Sequence, residues 1–531
     1  MIRINQIKLP IEHTEKQLKQ KVCKALHISD EQLIEISIVK RSVDARKKPE
    51  LQYVYSVDVS VRSEASVLKK VDNNSIMLTT RKKYHIPDAN PAYFSEDTLQ
   101  PVIVGSGPAG LFCAYALIQK GICPIIVERG RKIEERMKDV EKFWKTGVLD
   151  TKSNVQFGEG GAGTFSDGKL NTLVKDPVGR NRFVLETFVK FGAPEYILYE
   201  NKPHIGTDIL AKVIRDMRIY MEEAGAKFLF ETCLTDYRTQ KGKLCALELN
   251  HEEWLEADTM VLAIGHSARD TFRILDAKGE LKMEPKSFAV GFRVEHPQES
   301  INRQQYGELY YKKLPAAPYK VTANLTNGRG VYSFCMCPGG YVVNASSEKE
   351  RLAVNGMSYS GRDGANANSA IIVSVSPTDF SGDDALSGVR FQENLEECAY
   401  ALGAGKIPQQ LFGDYCKNQP SICYGSFCSA TKGTAVLCNL RGLLPEELEL
   451  SFIEGMHSFG RTIPEFDRED AILSGIESRT SSPVRIPRNA SFEAEVAGIH
   501  PCGEGAGYAG GIMSAAMDGL KVAEAILEKQ K

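Results

Sequence analysis

No uninterrupted apolar stretch in the 531 residues approaches the roughly 18–20 needed to cross a bilayer, so no membrane-spanning helix is expected. The opening MIRINQIKLP lacks the apolar core of a secretion signal, which predicts a cytoplasmic protein. A strong charge of either sign is missing too. Sixty-six Lys and Arg face 68 Asp and Glu, a net −2, so neither nucleic acid nor a membrane surface is an expected partner of the whole chain. The thirteen cysteines are odd in number and scattered, several of them (Cys113, Cys123, Cys245) inside apolar runs, which excludes a disulfide framework and suits reduced thiols. Cys416, Cys423, Cys428 and Cys438 match no zinc or iron–sulfur spacing, so no metal is expected. No repeat of 20–50 residues is present.

What is present is an ordinary globular composition, 42% hydrophobic and 25% charged, long enough for about three domains. Residues 1–95 stand apart with 17 Lys and Arg against 11 Asp and Glu. Their basic clusters, Arg46-Lys47-Lys48 and Arg81-Lys82-Lys83, read as solvated hairpin edges or as a contact for RNA or an acidic partner. The hydrophobic pattern gives a strand at 2–9, a helix at 14–27, strands near 33–42 and 51–62, a short helix near 64–72 and a strand near 75–84. That βαββαβ order predicts a ferredoxin-like plait over 1–90. HIPDANPAYFSEDTLQ then reads as a linker.

The strongest chemical signal begins at residue 101. In PVIVGSGPAGLFCAYALIQKGICPIIVERG an apolar strand enters Gly105-Ser-Gly107-Pro108-Ala109-Gly110 and a helix follows. Gly105 permits the turn, Gly107 lets the backbone approach a pyrophosphate, and Gly110 lets the helix pack on the strand. A second strand ends at Glu128, eighteen residues past Gly110, where an acid can accept hydrogen bonds from a ribose. Two further glycine runs follow. Asn154–Leu170 contains Gly158, Gly160, Gly161, Ala162, Gly163 and Gly168, suited to a flat ring or a phosphate. Pro501–Gly519 carries Gly503-Glu504 and then Gly510-Gly511-Ile512 at the start of a helix. There, free N–H groups and the helix dipole can stabilise negative charge.

On these residues the chain resembles the two-dinucleotide-binding-domain flavoproteins (glutathione reductase-like and PHBH-like). Within them it resembles a bacterial family of FAD-dependent dehydrogenases of uncertain substrate. Glu128-Arg129 is similar to that fold's Glu-Arg pair, Thr259–Gly265 to its ATG-like strand, and Pro501–Gly519 to its ribityl-binding motif, with Glu504 where Asp is usual. The resemblance implies an FAD-dependent oxidoreductase. Its cofactor residues are Gly105, Gly107, Pro108, Ala109, Gly110, Glu128, Arg129, Arg136, Gly160, Gly161, Ala162, Gly163, Leu234, Ala263, Gly265, Gly503, Glu504, Gly510, Gly511 and Ile512. With a single fingerprint, NAD(P)H enters only as a transient co-substrate at the flavin face.

The expected fold class is α/β. An FAD-binding Rossmann-like domain (91–279 and 486–531) is interrupted by an α+β substrate or cap domain at 280–485, read as short strands, turns and polar loops. Candidate catalytic residues are Lys169, which otherwise makes a surface ion pair, and His204 and His266, each beside a glycine turn and otherwise structural. Cys337, with Cys335, is a fourth candidate as a redox thiol, otherwise simply packed. Arg293 and Arg362 are candidates for an anionic substrate, and Asn355–Ser369 for a loop lining its cleft. Rival readings are an RNA-modifying flavoprotein, a lipid reductase like the geranylgeranyl reductases, which needs a long apolar tunnel, and a non-enzymatic flavin sensor.

Overall fold

Period-two alternation in the first sixty residues puts Ile2, Ile4, Ile7, Leu9, Tyr55, Val57, Val59 and Val61 on one buried face. The elements are β1 (Ile2–Pro10), α1 (Glu15–Leu26), β2 (Leu33–Asp44), β3 (Gln52–Val61), α2 (Glu64–Leu68) and β4 (Ile76–Leu78). Thr14 starts α1 through a reciprocal bond with Gln17. The sheet is antiparallel in the order β2-β3-β1-β4. Helix α2 and strand β4 are shorter than their patterns predicted, because Lys69-Lys70 and Thr79-Thr80 offer no apolar residues to bury. The computed structural model describes residues 1–71, 73–81, 83–91 and 98–529. Lys82 of the second basic cluster and residues 92–97 of the expected linker lie outside the described residues.

A parallel sheet follows, ordered β24-β11-β5-β6-β7. Along the chain its parts are β5 (Val102–Val104), α3 (Pro108–Ile118), β6 (Ile125–Val127), α4 (Ile133–Thr146), α5 (Arg180–Lys190), α6 (Thr207–Glu223) and β7 (Lys227–Leu229). Next come an antiparallel trio, β8 (Leu234–Gln240), β9 (Lys243–Leu249) and β10 (Glu253–Glu256), then β11 (Met260–Leu262) and α7 (Arg269–Lys278). The inner strands β5, β6 and β11 are wholly buried, as parallel strands covered on both faces require, while β7 at the sheet edge is partly open.

The segment read as short strands and polar loops is more regular than that. It holds β12 (Glu284–Pro285), β13 (Phe288–Pro297), α8 (Gln298–Tyr306), β14 (Thr322–Asn324), β15 (Gly330–Cys337), β16 (Tyr341–Asn344), β17 (Val354–Met357) and β18 (Asn366–Val375). It continues with α9 (Ser387–Gly403), β19 (Ile407–Leu411), α10 (Phe412–Lys417), β20 (Thr431–Lys432), β21 (Ala435–Leu437), α11 (Glu446–Gly460), β22 (Ile472–Glu477) and β23 (Val484–Arg485). Seven strands, β14-β15-β18-β13-β22-β19-β21, form one sheet. The expected loop at 355–369 is instead the strands β17 and β18 with a turn between them. Asn366, Asn368 and Ser369 sit on a central strand where Glu295, Arg293 and Tyr319 bond Asn366, Asn368 Oδ1 and Ser369, and buried Asn368 Nδ2 has no partner among the described residues. Finally β24 (Ile499–Pro501) returns to the edge of the parallel sheet, and α12 (Ile512–Leu527) lies along α3. The contact is close: a Cβ at Gly519 would stand 2.1 Å from the Ala109 carbonyl oxygen.

The first module is not free-standing. Arg41 of β2 pairs in parallel with Glu200, its N–H donating to the Tyr199 carbonyl at 2.7 Å while Asn201 N–H donates back to the Arg41 carbonyl. Lys48 bonds the Gln304 carbonyl, and Leu51 is buried in the core of the seven-stranded sheet. Among the described residues no helix is long and apolar enough to cross a membrane.

Candidate active site

Three glycine-bearing turns meet in one cleft of about 380 Å³, within the range of small-molecule sites. At the end of β5, Gly105 has φ +105°, and a Cβ there would lie 2.3 Å from the carbonyl oxygen of Ala263 on the neighbouring strand. A Cβ on Gly110 would stand 1.9 Å from the Gly105 oxygen, so the first turn of α3 packs directly on the strand end. Gly107 differs: its Cβ would point into open space, the nearest atom being Gly161 Cα at 3.8 Å across the cleft. Gly107, Pro108 and Ala109 line one side, and Gly158, Gly161, Ala162 and Gly163 line the other. Helix α12 begins at the same cleft, with Gly510, Gly511 and Ile512 on its wall. No N-cap side chain bonds the first turn of α3 or α12, although Ser514 Oγ accepts from Gly511 N–H at 3.1 Å, so N–H groups and the positive ends of two helix dipoles converge there. This is a fit for FAD: bare backbone where a diphosphate must come close, and fixed positive potential along the groove.

Four of the expected cofactor residues act one layer back. Glu128 is on the cleft wall, but its carboxylate is filled by four protein donors: Ser106 N–H at 3.0 Å, Ser106 Oγ at 2.7 Å, Gly130 N–H at 2.9 Å and Gly158 N–H at 3.0 Å. A carboxylate has about four acceptor sites, so Glu128 staples the two glycine turns together and keeps none for a ribose. Arg136 is fully buried outside the cleft. Its guanidinium donates to the carbonyls of Asn154, Val155, Gly158, Glu159 and Gly161, and burial pushes it down to about 10. It shapes the loop from behind. Gly160 packs against Thr164 and Ile214, and Gly503 donates its N–H to Asp518 at 2.8 Å beside Ala109; neither is on the wall. Gly105, Arg129, Leu234, Ala263, Gly265 and Glu504 do line it. Arg129 lies over the Phe157 ring, 4.3 Å from its centroid, and is tied to Asp270 and Thr271.

The seven-stranded sheet closes the opposite wall with Phe334, Cys335 and Glu477, followed by Arg479 and Thr480, and β17 of the neighbouring small sheet adds Asn355. Lys169 reaches this wall and bonds the Met336 carbonyl. His266 lines the cleft with its Nδ1 3.1 Å from Glu504 Oε1, while its buried Nε2 has no partner among the described residues. The other expected groups are displaced. His204 is buried behind the wall with Nε2 3.2 Å from Ser358 Oγ, and burial together with the Arg362 charge pushes it down to about 4. Cys337 lies beneath the wall, its thiol donating to the Cys335 carbonyl and its sulfur accepting from Arg293. Cys335 opens onto the cleft. Burial pushes the Cys337 thiol up to about 11, and its sulfur packs against Arg293 and the Cys335 carbonyl instead of facing the cleft, an arrangement that favours packing over a redox role. Arg293 is wholly buried, holding Asn368 and Glu477 rather than a substrate.

Glu477 and Arg479 were not among the sequence candidates. They reach the cleft from β22 and the turn after it, with no local pattern to mark them. Burial pushes Glu477 up to about 7, partly offset by Arg293 and His266. Because its folded value lies above the ordinary 4.5, its contribution to stability is full below about pH 4.5 and fades as pH rises through about 7. Holoenzyme flavin absorption is therefore expected to shift across a transition near pH 7 that Glu477→Gln lacks, with the variant gaining relative stability above it. The same titration in both proteins would remove Glu477 from the cleft's proton chemistry.

Residues 287–480 match the family described as FAD-dependent protein, C-terminal domain-like, and residues 1–60 match a domain of unknown function. An uncharacterized protein of Clostridium beijerinckii is 45% identical over 533 residues, spanning 99% of each chain. Among solved structures, glycine oxidase from Geobacillus kaustophilus is 12% identical with a TM-score of 0.37, covering 81% of this chain and 95% of its own. L-proline dehydrogenase from P. horikoshii is 13% identical with a TM-score of 0.32, covering 80% and 92%. The identification rests on the family match and the clostridial relative, which agree with the cleft described above. The chain belongs to the same family as that Clostridium beijerinckii protein, and its residues 287–480 carry the match to an FAD-dependent family.

Proposed function

We propose that the cleft holds FAD with its pyrophosphate between Gly105–Ala109 and Gly161–Gly163, and that a small molecule is oxidised or reduced against the wall of Lys169, Cys335, Asn355 and Glu477. The observation that carries this reading is the convergence of two helix N-termini and a polar wall from outside the parallel sheet on one cleft. Arg129 and Leu234 would hold the adenosine end; Gly265, His266, Glu504 and Gly510–Ile512 would hold the ring end. When bound, FAD supplies the exchange of a hydride or electrons. The chain's own groups orient and exclude water. His266, steadied through Nδ1 by Glu504, offers a free Nε2 for a proton, and Glu477 is poised to give or take one near neutrality.

The same reading divides the chain into a ferredoxin-like plait (1–90), the FAD-binding domain (91–279 and 486–531) and an inserted cap (280–485). The pairing of β24 with β11, and the seven-stranded sheet between 288 and 477, support this division. A cytoplasmic location is part of the proposal. Two rivals lose ground. The basic cluster at 46–48 is partly spent on Asp44 and Gln304, which leaves little for RNA. The polar wall of Lys169, Asn355, Glu477 and Arg479 does not make the apolar tunnel a lipid reductase needs.

With one dinucleotide cradle, the electron donor is a reduced nicotinamide docking transiently at the cap. Anaerobic mixing of purified protein with NADH and with NADPH is expected to bleach the flavin with one of them. Unbleached flavin with both would overturn the nicotinamide, leaving a dehydrogenase reduced by its own substrate.

A further inference from the structure

Beside the cleft, the glycine loop and the segment after the Arg41 docking site form a small two-stranded ribbon. Lys169 and His204 oppose each other across an antiparallel bridge, with Leu170 N–H donating to the Pro203 carbonyl at 2.9 Å and Ile205 N–H to the Gly168 carbonyl at 3.1 Å. Side chains two apart on such a ribbon share a face, so Asp167, Lys169, Lys202 and His204 belong to one side. The turn after β17 closes that side. Ser358 Oγ donates to Asp167 Oδ1 at 2.6 Å, His204 lies against Ser358, and Arg362 pairs with Asp167 Oδ2. Asp167 and Lys169 line the cleft, so this face adjoins the substrate side of the proposed flavin site.

The charge on this face does not balance. Lys169, Arg362 and Lys320 are close enough that their charges, after burial, push Lys202 below its ordinary value. Neutral His204 adds nothing. Against four cations stand two carboxylates, both engaged: Asp167 with Ser358, Arg362 and, at 3.8 Å, Lys169, and Asp208 with Ser360 N–H at 2.8 Å and Oγ at 2.6 Å. Lys202 and Lys320 form no ion pair among the described residues, and Arg362 Nε is buried without a hydrogen-bond partner. Like charges held this close raise one another's cost, and one bound oxyanion would relieve all of them through charge-assisted hydrogen bonds.

We infer that Lys169, Lys202 and Arg362 form an anion subsite and that the substrate is a small molecule bearing an oxyanion, a carboxylate or a phosphate, which the subsite holds while its reacting carbon lies in the cleft. The inference rests on the flavin reading above and adds the substrate class. Lys202, exposed on the face it shares with His204, captures the anion, and Lys169, fixed by the Met336 carbonyl, carries it to the cleft wall.

The test titrates FAD-loaded protein, at constant ionic strength, with acetate and benzoate in one arm and sulfate and inorganic phosphate in the other. Flavin absorption is the readout. At least one anion is expected to perturb the spectrum saturably; the arm that does so names the source. Lys202→Gln and Arg362→Gln are each expected to weaken that anion roughly tenfold, equivalent to about 1.4 kcal/mol, with FAD content unchanged. Lys202→Gln, at an exposed position, removes no packed group and keeps the test valid if Arg362→Gln folds poorly. Bound FAD that no anion perturbs, or equal affinities in parent and Lys202→Gln, would overturn the subsite alone. Protein that cannot be loaded with FAD would overturn the flavin reading instead.

Discussion

Gly105→Ala is expected to give protein without bound flavin, much of it insoluble. The residue sits at φ +105°, where an L side chain costs about 1–2 kcal/mol by itself. The larger cost is steric. The new methyl would meet a backbone oxygen, Ala263 O, at 2.3 Å, and that atom ends the adjacent strand β11 and cannot rotate aside. Relief means separating β5 from β11, which also opens the wall formed by Ala263 and Gly265. Gly107→Ala is the matched control. It meets nothing within contact distance inside the protein, so the fold survives while a methyl occupies the groove where the diphosphate must lie. Flavin-to-protein absorbance and thermal melting separate the two: Gly105→Ala loses both, and Gly107→Ala loses flavin by at least tenfold in affinity with little change in the melting of the apoprotein. Full flavin content in Gly105→Ala would refute the placement of this turn.

The second large effect is expected at Glu396, far from any glycine turn. Its carboxylate is fully buried on α9 and accepts from Arg269 at 2.7 and 2.9 Å, from Arg479 at 2.7 and 3.0 Å, and from Ser478 Oγ at 2.6 Å. Helix α7, helix α9 and the segment after β22 meet at this charge, with Gln392, Glu348 and the Arg273–Glu393 pair as lesser ties. Glu396→Gln leaves two buried guanidinium groups facing a neutral amide, a loss of about 3–5 kcal/mol. Because Arg479 also lines the cleft, flavin affinity falls with stability. Its two arginines hold Glu396 well below the ordinary carboxylate range, so its stabilisation is present above about pH 4.5 and is lost as pH falls through the folded value. The variant lacks that acid limb. Glu141→Gln removes an exposed, solvent-screened pair with Lys145 and is expected to leave stability essentially unchanged. Equal denaturation midpoints for Glu396→Gln and Glu141→Gln would show that the network is not what joins the cap to the flavin domain.

Local chemistry explains what could be read in advance. Glycines must be glycine where a Cβ would strike backbone, so Gly105, Gly110 and the 158–168 loop were legible as a cradle without coordinates. The residues that support the cradle were legible only by type. Glu128 stands where a ribose acceptor was expected, but whether its oxygens were free depended on Gly130 and Gly158 folding back onto it. Arg136 and Arg293 looked like ligand-binding cations because sequence cannot show that five carbonyls, or a buried glutamate, already claim them. Glu477, Arg479 and Lys202 carried no signal at all. They come to the cleft by long-range strand pairing, and a single charge in a strand looks the same whether it faces solvent or substrate.

Strand β24 and helix α12 complete a sheet whose other strands precede them by more than two hundred residues. On the ribosome, therefore, β5, β6, β7 and β11 wait while the entire cap is made and folds. Until α12 arrives, the flank of α3 that receives Gly519, at Ala109 and Cys113, stays open to water, so one wall of the flavin cleft closes only after the whole cap has been made.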